Sequence, residues 1–216
     1  MRTAIATAIL TLAGLLSIAL SASQALAGTI AIYGTGATNS GTGQADPNYQ
    51  LISAPAGVHY PGPAYTGQYS AWQAPPTGLF WDNPFNPLQY GPSGRYDYRT
   101  SFDLTGFNPA SAVLTGLSGA DDVGTIWLNG VQVAAMGSIA QFLAFNITDG
   151  LNGAHFQSGI NTLDFMVDNT FVYPDSPTGL MVQISGTADA VPEPGSLALM
   201  GTGIVGLGGL LRRRFQ

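Results

Sequence analysis

The clearest regularity in the chain is a two-residue alternation over 95–104. Tyr96, Tyr98, Thr100, Phe102 and Leu104 fall in one phase, while Arg95, Asp97, Arg99, Ser101 and Asp103 fall in the other. Successive side chains of an extended strand point to opposite faces, so this segment predicts a strand with one dry and one wet face. The arginines and aspartates of the wet face predict cross-strand ion pairs, each worth under about 1 kcal/mol. The same period returns where Leu163, Phe165 and Val167 alternate with Thr162, Asp164, Met166 and Asp168, and where Leu180, Val182 and Ile184 alternate with Met181, Gln183 and Ser185. Residues 125–128 and 131–134 flank Asn129-Gly130, the dipeptide that best tolerates the positive φ angles of a tight type I′ turn, and predict a hairpin. Shorter strands are expected at 29–33, 49–53, 64–73, 112–117 and 142–147. With turn signals at short intervals and no long helical period, residues 28–190 read as one all-β domain, an antiparallel β-sandwich.

The two ends break this pattern. Arg2, the apolar run over 4–20 and the small-x-small triplet Ala25-Leu26-Ala27 have the three parts of a secretory signal peptide over 1–27, with the mature chain starting near Gly28. A second apolar run, 197–211, precedes Arg212, Arg213 and Arg214. As a helix its length would be about 22 Å, short of the ~30 Å hydrocarbon core, and its glycines weaken it further. Such a helix predicts transient membrane insertion, with the arginines cytoplasmic and the domain outside. Pro192 and Pro194 around Glu193 cannot continue it and favour an extended, accessible segment.

Taken in order, Pro192-Glu193-Pro194, the hydrophobic segment and the basic cluster resemble the PEP-CTERM sorting signal of Gram-negative bacteria, over 191–216. The resemblance implies an exosortase-type membrane protease as partner, removal or replacement of the tail, and delivery to the cell envelope, outer surface or extracellular matrix. A plain C-terminal anchor is the alternative.

Composition narrows the partners. Residues 28–190 contain eleven aspartates and no glutamate against Arg95 and Arg99, a formal charge of −9, which opposes binding to nucleic acid or anionic lipid. The chain has no cysteine, which excludes disulfides, thiolate metal sites and a cysteine nucleophile. Packing, or a metal, must then stabilise an exported domain.

A second resemblance rests on Tyr98-Arg99-Thr100-Ser101-Phe102-Asp103-Leu104, Ala112-Val113-Leu114, Asp121-Asp122, Ile126-Trp127-Leu128-Asn129-Gly130, Phe145-Asn146-Ile147-Thr148 and Gly159-Ile160-Asn161-Thr162-Leu163. In this order they are similar to a galactose-binding-like jelly roll, over roughly 94–187. The resemblance implies the fold of many accessory sugar-binding domains of glycoside hydrolases. The motif residues themselves read as turn formers and core, and such a fold hosts binding, adhesion and scaffold roles alike.

Three chemistries compete for the domain. Sugar rings stack on exposed aromatics, and Trp72, Phe80, Trp81 and Tyr90 lie in a proline-stiffened stretch that predicts a polysaccharide platform; the alternative is that these rings cover one end of the sandwich. A structural calcium ion, suggested by the many aspartates and by the metal sites of related jelly rolls, would draw on Asp46, Asp121, Asp122 and Asp168. Against it, Asx side chains at strand ends usually serve local backbone donors. Hydrolysis would need two aspartates, because Glu193 belongs to the tail. His59 and His155 read as packing or surface residues, and no G-x-S-x-G or H-E-x-x-H motif accompanies them. The sequence therefore predicts a non-enzymatic exported component of the envelope or an exopolysaccharide matrix, glycan-binding or passively structural and adhesive, with a carbohydrate-active hydrolase as third reading.

Overall fold

Each alternating segment becomes a strand in the computed structural model, which describes residues 26–170 and 176–191 together with Gly203. Among the described residues the strands are β1 (Ala27–Thr29), β2 (Ala45–Ser53), β3 (Gly62–Gly67), β4 (Trp81–Asn83), β5 (Gly94–Asp103), β6 (Val113–Asp121), β7 (Val123–Leu128), β8 (Val131–Ala135), β9 (Leu143–Thr148), β10 (Ile160–Asn169) and β11 (Gly179–Asp189). All of these named strands pair antiparallel, in the order β8-β7-β10-β5-β2-β3-β4-β11-β6-β9, with β1 added to β11. The chain divides into two units, Ala27–Ala190 and the termini Met1–Leu26 with Val191–Gln216; the sandwich is the first. The expected signal peptide, apart from its last two residues, lies outside the described residues. So do Pro192, Glu193, Pro194, Arg212, Arg213, Arg214 and, Gly203 excepted, the expected helix 197–211.

The path doubles back at the short strands β3 and β4, which brings β8-β7-β10-β5-β2 over β11-β6-β9. One core proves the closure: Ile126, Leu128, Leu163, Phe165, Val167, Tyr98 and Leu51 from the first half share a buried cluster with Leu114, Phe145, Ile147, Leu180 and Val182 from the second. These are the dry phases of the alternating segments, and burying each large side chain stabilises the fold by about 1.5–3 kcal/mol relative to leaving it exposed. The result is an antiparallel sandwich of the jelly-roll class.

The predicted hairpin forms as β7-β8, with Asn129 and Gly130 at φ 49° and 85°. Its asparagine is tied down from outside the turn. Asn129 Nδ2 donates to Asn161 Oδ1 (2.8 Å), and Asn129 Oδ1 accepts from the Thr162 amide (2.9 Å). The ion pairs predicted for the wet face of β5 also form, since the register sets Arg95 opposite Asp168 and Arg99 opposite Asp164 on β10.

Two boundaries differ from expectation. The segment expected as a strand over 64–73 leaves the sheet after Gly67, because Trp72 turns inward to pack on Trp81. Conversely, Trp81–Asn83, read as loop among prolines, is a strand whose three side chains are all buried between β3 and β11.

Candidate functional site

The wet phases of β7, β10, β5 and β2 meet on the outer face of the first half of the sandwich. Register places Trp127 opposite Asp164, Asp164 opposite Arg99, and Arg99 opposite Gln50. Neighbouring strands lie about 4.8 Å apart, so this row runs for roughly 14 Å across four strands. It continues through Gln132 on β8 at one end and Pro63 on β3 at the other. A parallel row, Thr125, Met166, Asp97 and Ser53, flanks it.

Each member is held by a local cause. Trp127 is half-buried, and its indole N–H donates to Thr125 Oγ1 (2.9 Å) two positions back on the same face, which lays the ring along the strand. Arg99 forks onto Asp164 through Nε to Oδ1 (2.6 Å) and a second nitrogen to Oδ2 (2.8 Å). That contact raises the guanidinium pKa, and the arginine stays 41% exposed while its partner is 7% exposed. Arg95 makes the same fork onto Asp168, both bonds at 2.9 Å, closer to solvent. Burial raises the Asp97 carboxyl between them, and its Oδ1 has no hydrogen-bond partner. Where the row reaches β2, a cleft of about 390 Å³ opens, lined by Asp46, Asn48, Gln50, Pro63, Arg99 and Ser101. The face thus offers one aromatic surface beside fixed donors and acceptors, with Arg95 and Arg99 against Asp97, Asp103, Asp164 and Asp168, and with Asp46 in the cleft.

The expected aromatic platform is corrected. Trp81 is 0% and Trp72 4% exposed, with ring centroids 4.8 Å apart in a small core with Met181. Their indole N–H groups are satisfied inward, Trp72 to Asp121 Oδ2 (2.6 Å) and Trp81 to the Gln73 carbonyl (2.9 Å). Neither ring has an open face for a sugar. Phe80 is half-buried, and Tyr90, 50% exposed, is hydrogen-bonded to the Tyr69 hydroxyl (2.7 Å). The stretch caps the sandwich instead, because an indole buries more apolar surface than any other side chain once its one donor is matched.

The four aspartates expected around calcium do not converge. Asp121 is bound to Trp72, Asp122 Oδ2 accepts from the Thr170 amide (2.8 Å) and hydroxyl (2.7 Å), and Asp168 holds Arg95. Asp46 Oδ2 accepts from the Gly36 amide (2.6 Å) and its Oδ1 from the Asn48 amide (2.8 Å). Among the described residues no three acidic or histidine side chains group as metal ligands. Desolvation raises Asp121 to about 7, helped by the neighbouring Asp122 and opposed by the Trp72 hydrogen bond. His155 lies on the surface against Asp149 (3.1 Å).

Trp127 is the residue of this face that sequence reasoning passed over. Trp127 was legible: it sits in the wet phase of its strand, between inward Ile126 and Leu128, where a large aromatic has no packing reason to be.

Residues 190–214 match the PEP-CTERM protein-sorting motif, which marks a chain for export and sorting to the cell envelope or surface. No curated protein sequence matches the chain. Among solved structures, a carbohydrate-binding module of family 29 aligns at 10% identity over 76% of this chain and 88% of its own, with a TM-score of 0.37. A family 35 carbohydrate-binding module from an environmental isolate aligns at 11% identity over 71% and 96%, with a TM-score of 0.35. The CBM36-1 domain of a multidomain xylanase from the hindgut metagenome of Trinervitermes trinervoides aligns at 12% identity over 67% and 99%, with a TM-score of 0.29.

Proposed function

We propose that this chain is an exported, non-enzymatic glycan-binding module that uses the outer face of β7, β10, β5 and β2. The observation that carries the reading is the row Trp127, Asp164, Arg99 and Gln50, opening at one end into the polar cleft. A sugar ring presents an apolar face and a rim of hydroxyls. The first suits an indole, and the second suits a carboxylate and guanidinium held in fixed geometry and a terminal amide that both donates and accepts. The forked ion pair is held by its strand register, so little side-chain freedom is lost on binding. Because the domain and this face are both net acidic, an uncharged polysaccharide suits it better than a polyanion.

The tail completes the proposal. An exosortase-type protease would act at Pro192-Glu193-Pro194 after transient insertion of 197–211, leaving the module at the envelope or in the surrounding matrix. Mass spectrometry of envelope-associated protein is expected to show a C-terminus ending upstream of the apolar run. An intact Gln216 would contradict processing.

The binding claim is tested with the purified full chain against a panel of neutral and acidic polysaccharides. Saturable binding to a neutral glycan is expected, reduced at least about tenfold by Trp127→Ala, a loss of about 1.4 kcal/mol, and unchanged by Tyr90→Ala. Absence of binding across the panel would return the protein to the passive matrix or adhesin reading.

A further inference from the structure

The least satisfied polar groups in the sandwich lie inside it, behind the outer face. Asp82, on β4, is 0% exposed, and neither of its carboxyl oxygens meets an N–H or O–H donor. Beside it lies the side chain of Asp46, on β2, which is 3% exposed. Counting donors separates the two. Asp46 Oδ1 accepts from the Asn48 amide (2.8 Å) and side chain (3.2 Å), and its Oδ2 accepts from the Gly36 amide (2.6 Å), as suits a carboxylate. Asp82 has only Asp46 to turn to. Two carboxylates cannot bond one another, and an unpaired charge in a core is among the most costly groups a fold can bury. The pair is satisfied only when Asp82 carries a proton and donates it to Asp46.

The surroundings leave that role to the proton. Among the described residues the arginines, Arg95 and Arg99, are forked onto Asp168 and Asp164 on the outer face. His155 pairs with Asp149, and His59 is exposed in a separate cleft with Pro63 and Tyr65. The titratable groups that feel Asp82 are tyrosines. Tyr49, on β2, turns its hydroxyl to the Tyr33 carbonyl (3.0 Å), and Tyr98, on β5, has a hydroxyl without a partner; burial and then the charge of Asp82 raise both phenols. Of the strands flanking β4, β3 carries Tyr65, opposite Asn83 rather than Asp82, and β11 carries Asp189 at its far end. Burial, and then the neighbouring Asp46, push the Asp82 carboxyl well above the usual range.

We propose that Asp82 and Asp46 share one proton and form an acid-stable, alkali-sensitive latch between β4 and β2. The latch stands where the sheet has a gap. β3 lies between these two strands, and the β2-β3 register shifts between the paired positions Ala45 and Gln50, the stretch that carries Asp46. The side-chain bonds of Asp46 and the shared proton hold that stretch at the turn of the sandwich, in a chain without disulfides. Asp46 also lines the cleft on the outer face, so the latch sits directly behind it. When the proton leaves to solvent, two carboxylates face each other in a medium of low dielectric and the latch opens. An unfolded aspartate titrates near about 4, well below the folded Asp82. The stabilisation is therefore complete below that pH and is lost as pH rises through the folded value.

The test is denaturant unfolding of the purified full chain across the range from about pH 5 to about pH 9, in an Asp121→Asn parent that lacks the other strongly raised carboxyl. Through Asp82, each pH unit is expected to lower the folding equilibrium constant of this parent by up to about tenfold. Adding Asp82→Asn supplies Asp46 with a permanent N–H donor. It is expected to remove that part of the slope and to leave a chain more stable than its parent at the alkaline end. Infrared difference spectra of the folded chains at about pH 8, where ordinary carboxyls are ionised, are taken as parent minus Asp82→Asn. They are expected to show one protonated-carboxyl stretch that shifts in deuterium oxide. Parallel pH profiles, or no such band, would overturn the proposal. If Asp82→Asn does not fold, the spectrum of the parent decides: a protonated-carboxyl band at that pH supports the latch, and its absence overturns it. None of these readouts involves a glycan, so the latch and the sugar face stand or fall separately.

Discussion

At Asn161 a single buried amide closes the junction between the β7-β8 hairpin and the entry to β10. Its Oδ1 accepts from Asn129 Nδ2 and the Gln157 amide (both 2.8 Å), and its Nδ2 donates to the carbonyls of Gln157 (2.8 Å) and Gly159 (2.9 Å). Removing it leaves several buried groups without partners, each costing about 1–3 kcal/mol, so Asn161→Ala is expected to lose about 3 kcal/mol in denaturant unfolding at unchanged slope. A loss below about 1 kcal/mol would mean that the junction relaxes. Asp121 makes a different prediction. Its folded pKa of about 7 lies above its unfolded value, so the native state holds the proton more tightly. This contribution to stability is present at about pH 4, declines as pH rises, and is gone above about pH 7. Asp121→Asn keeps an acceptor for Trp72 and removes the titration, so unfolding midpoints should converge with wild type near pH 4 and exceed it at pH 8. Equal pH profiles would contradict the shift. Of these residues the sequence revealed Asn129-Gly130 and Asn161 as turn formers; the environment of Asp121 depends on Trp72, 49 positions away, which no local pattern announces.

Among elements, the long alternating strands β5, β10 and β11 and the β7-β8 hairpin were legible because their phases are regular and their turn chemistry is specific. β4 was not, since three residues between prolines are too short to show a period and are recruited by neighbours on both sides. The same limit misplaced the aromatic platform: Trp72 and Trp81 read as exposed only while their stretch read as loop. Strand spacing also depends on an inconspicuous glycine. Gly116 on β6 lies between Ile184 of β11 and Phe145 of β9, and a Cβ there would run into the Gln183 carbonyl and the Phe145 ring. The backbone carbonyl cannot yield cheaply. Gly116→Ala is expected to cost about 1–3 kcal/mol, whereas Gly130→Ala has open space and meets only the strain of positive φ. Thermal unfolding of the two variants would check the contrast, and a neutral Gly116→Ala would contradict this packing.

For the whole molecule, the alternation that builds the sandwich also builds its outer face. Once dry phases are committed to the core, Trp127, Asp164, Arg99 and Gln50 can only point outward, and the ladder β7-β10-β5-β2 sets them in one row. The sorting motif gives the chain a setting outside the cell, and the reading proposed for that face is that it engages neutral polysaccharide there. Fluorescence gives the most direct access to this claim, because two of the three tryptophans are buried and only Trp127 is open to solvent in part. The measurement is acrylamide quenching of the full chain during titration with a polysaccharide that it binds. Saturable loss of quenching, absent from a Trp127→Phe variant, is the predicted result; bound glycan with Trp127 as accessible as before would place binding elsewhere and contradict the account.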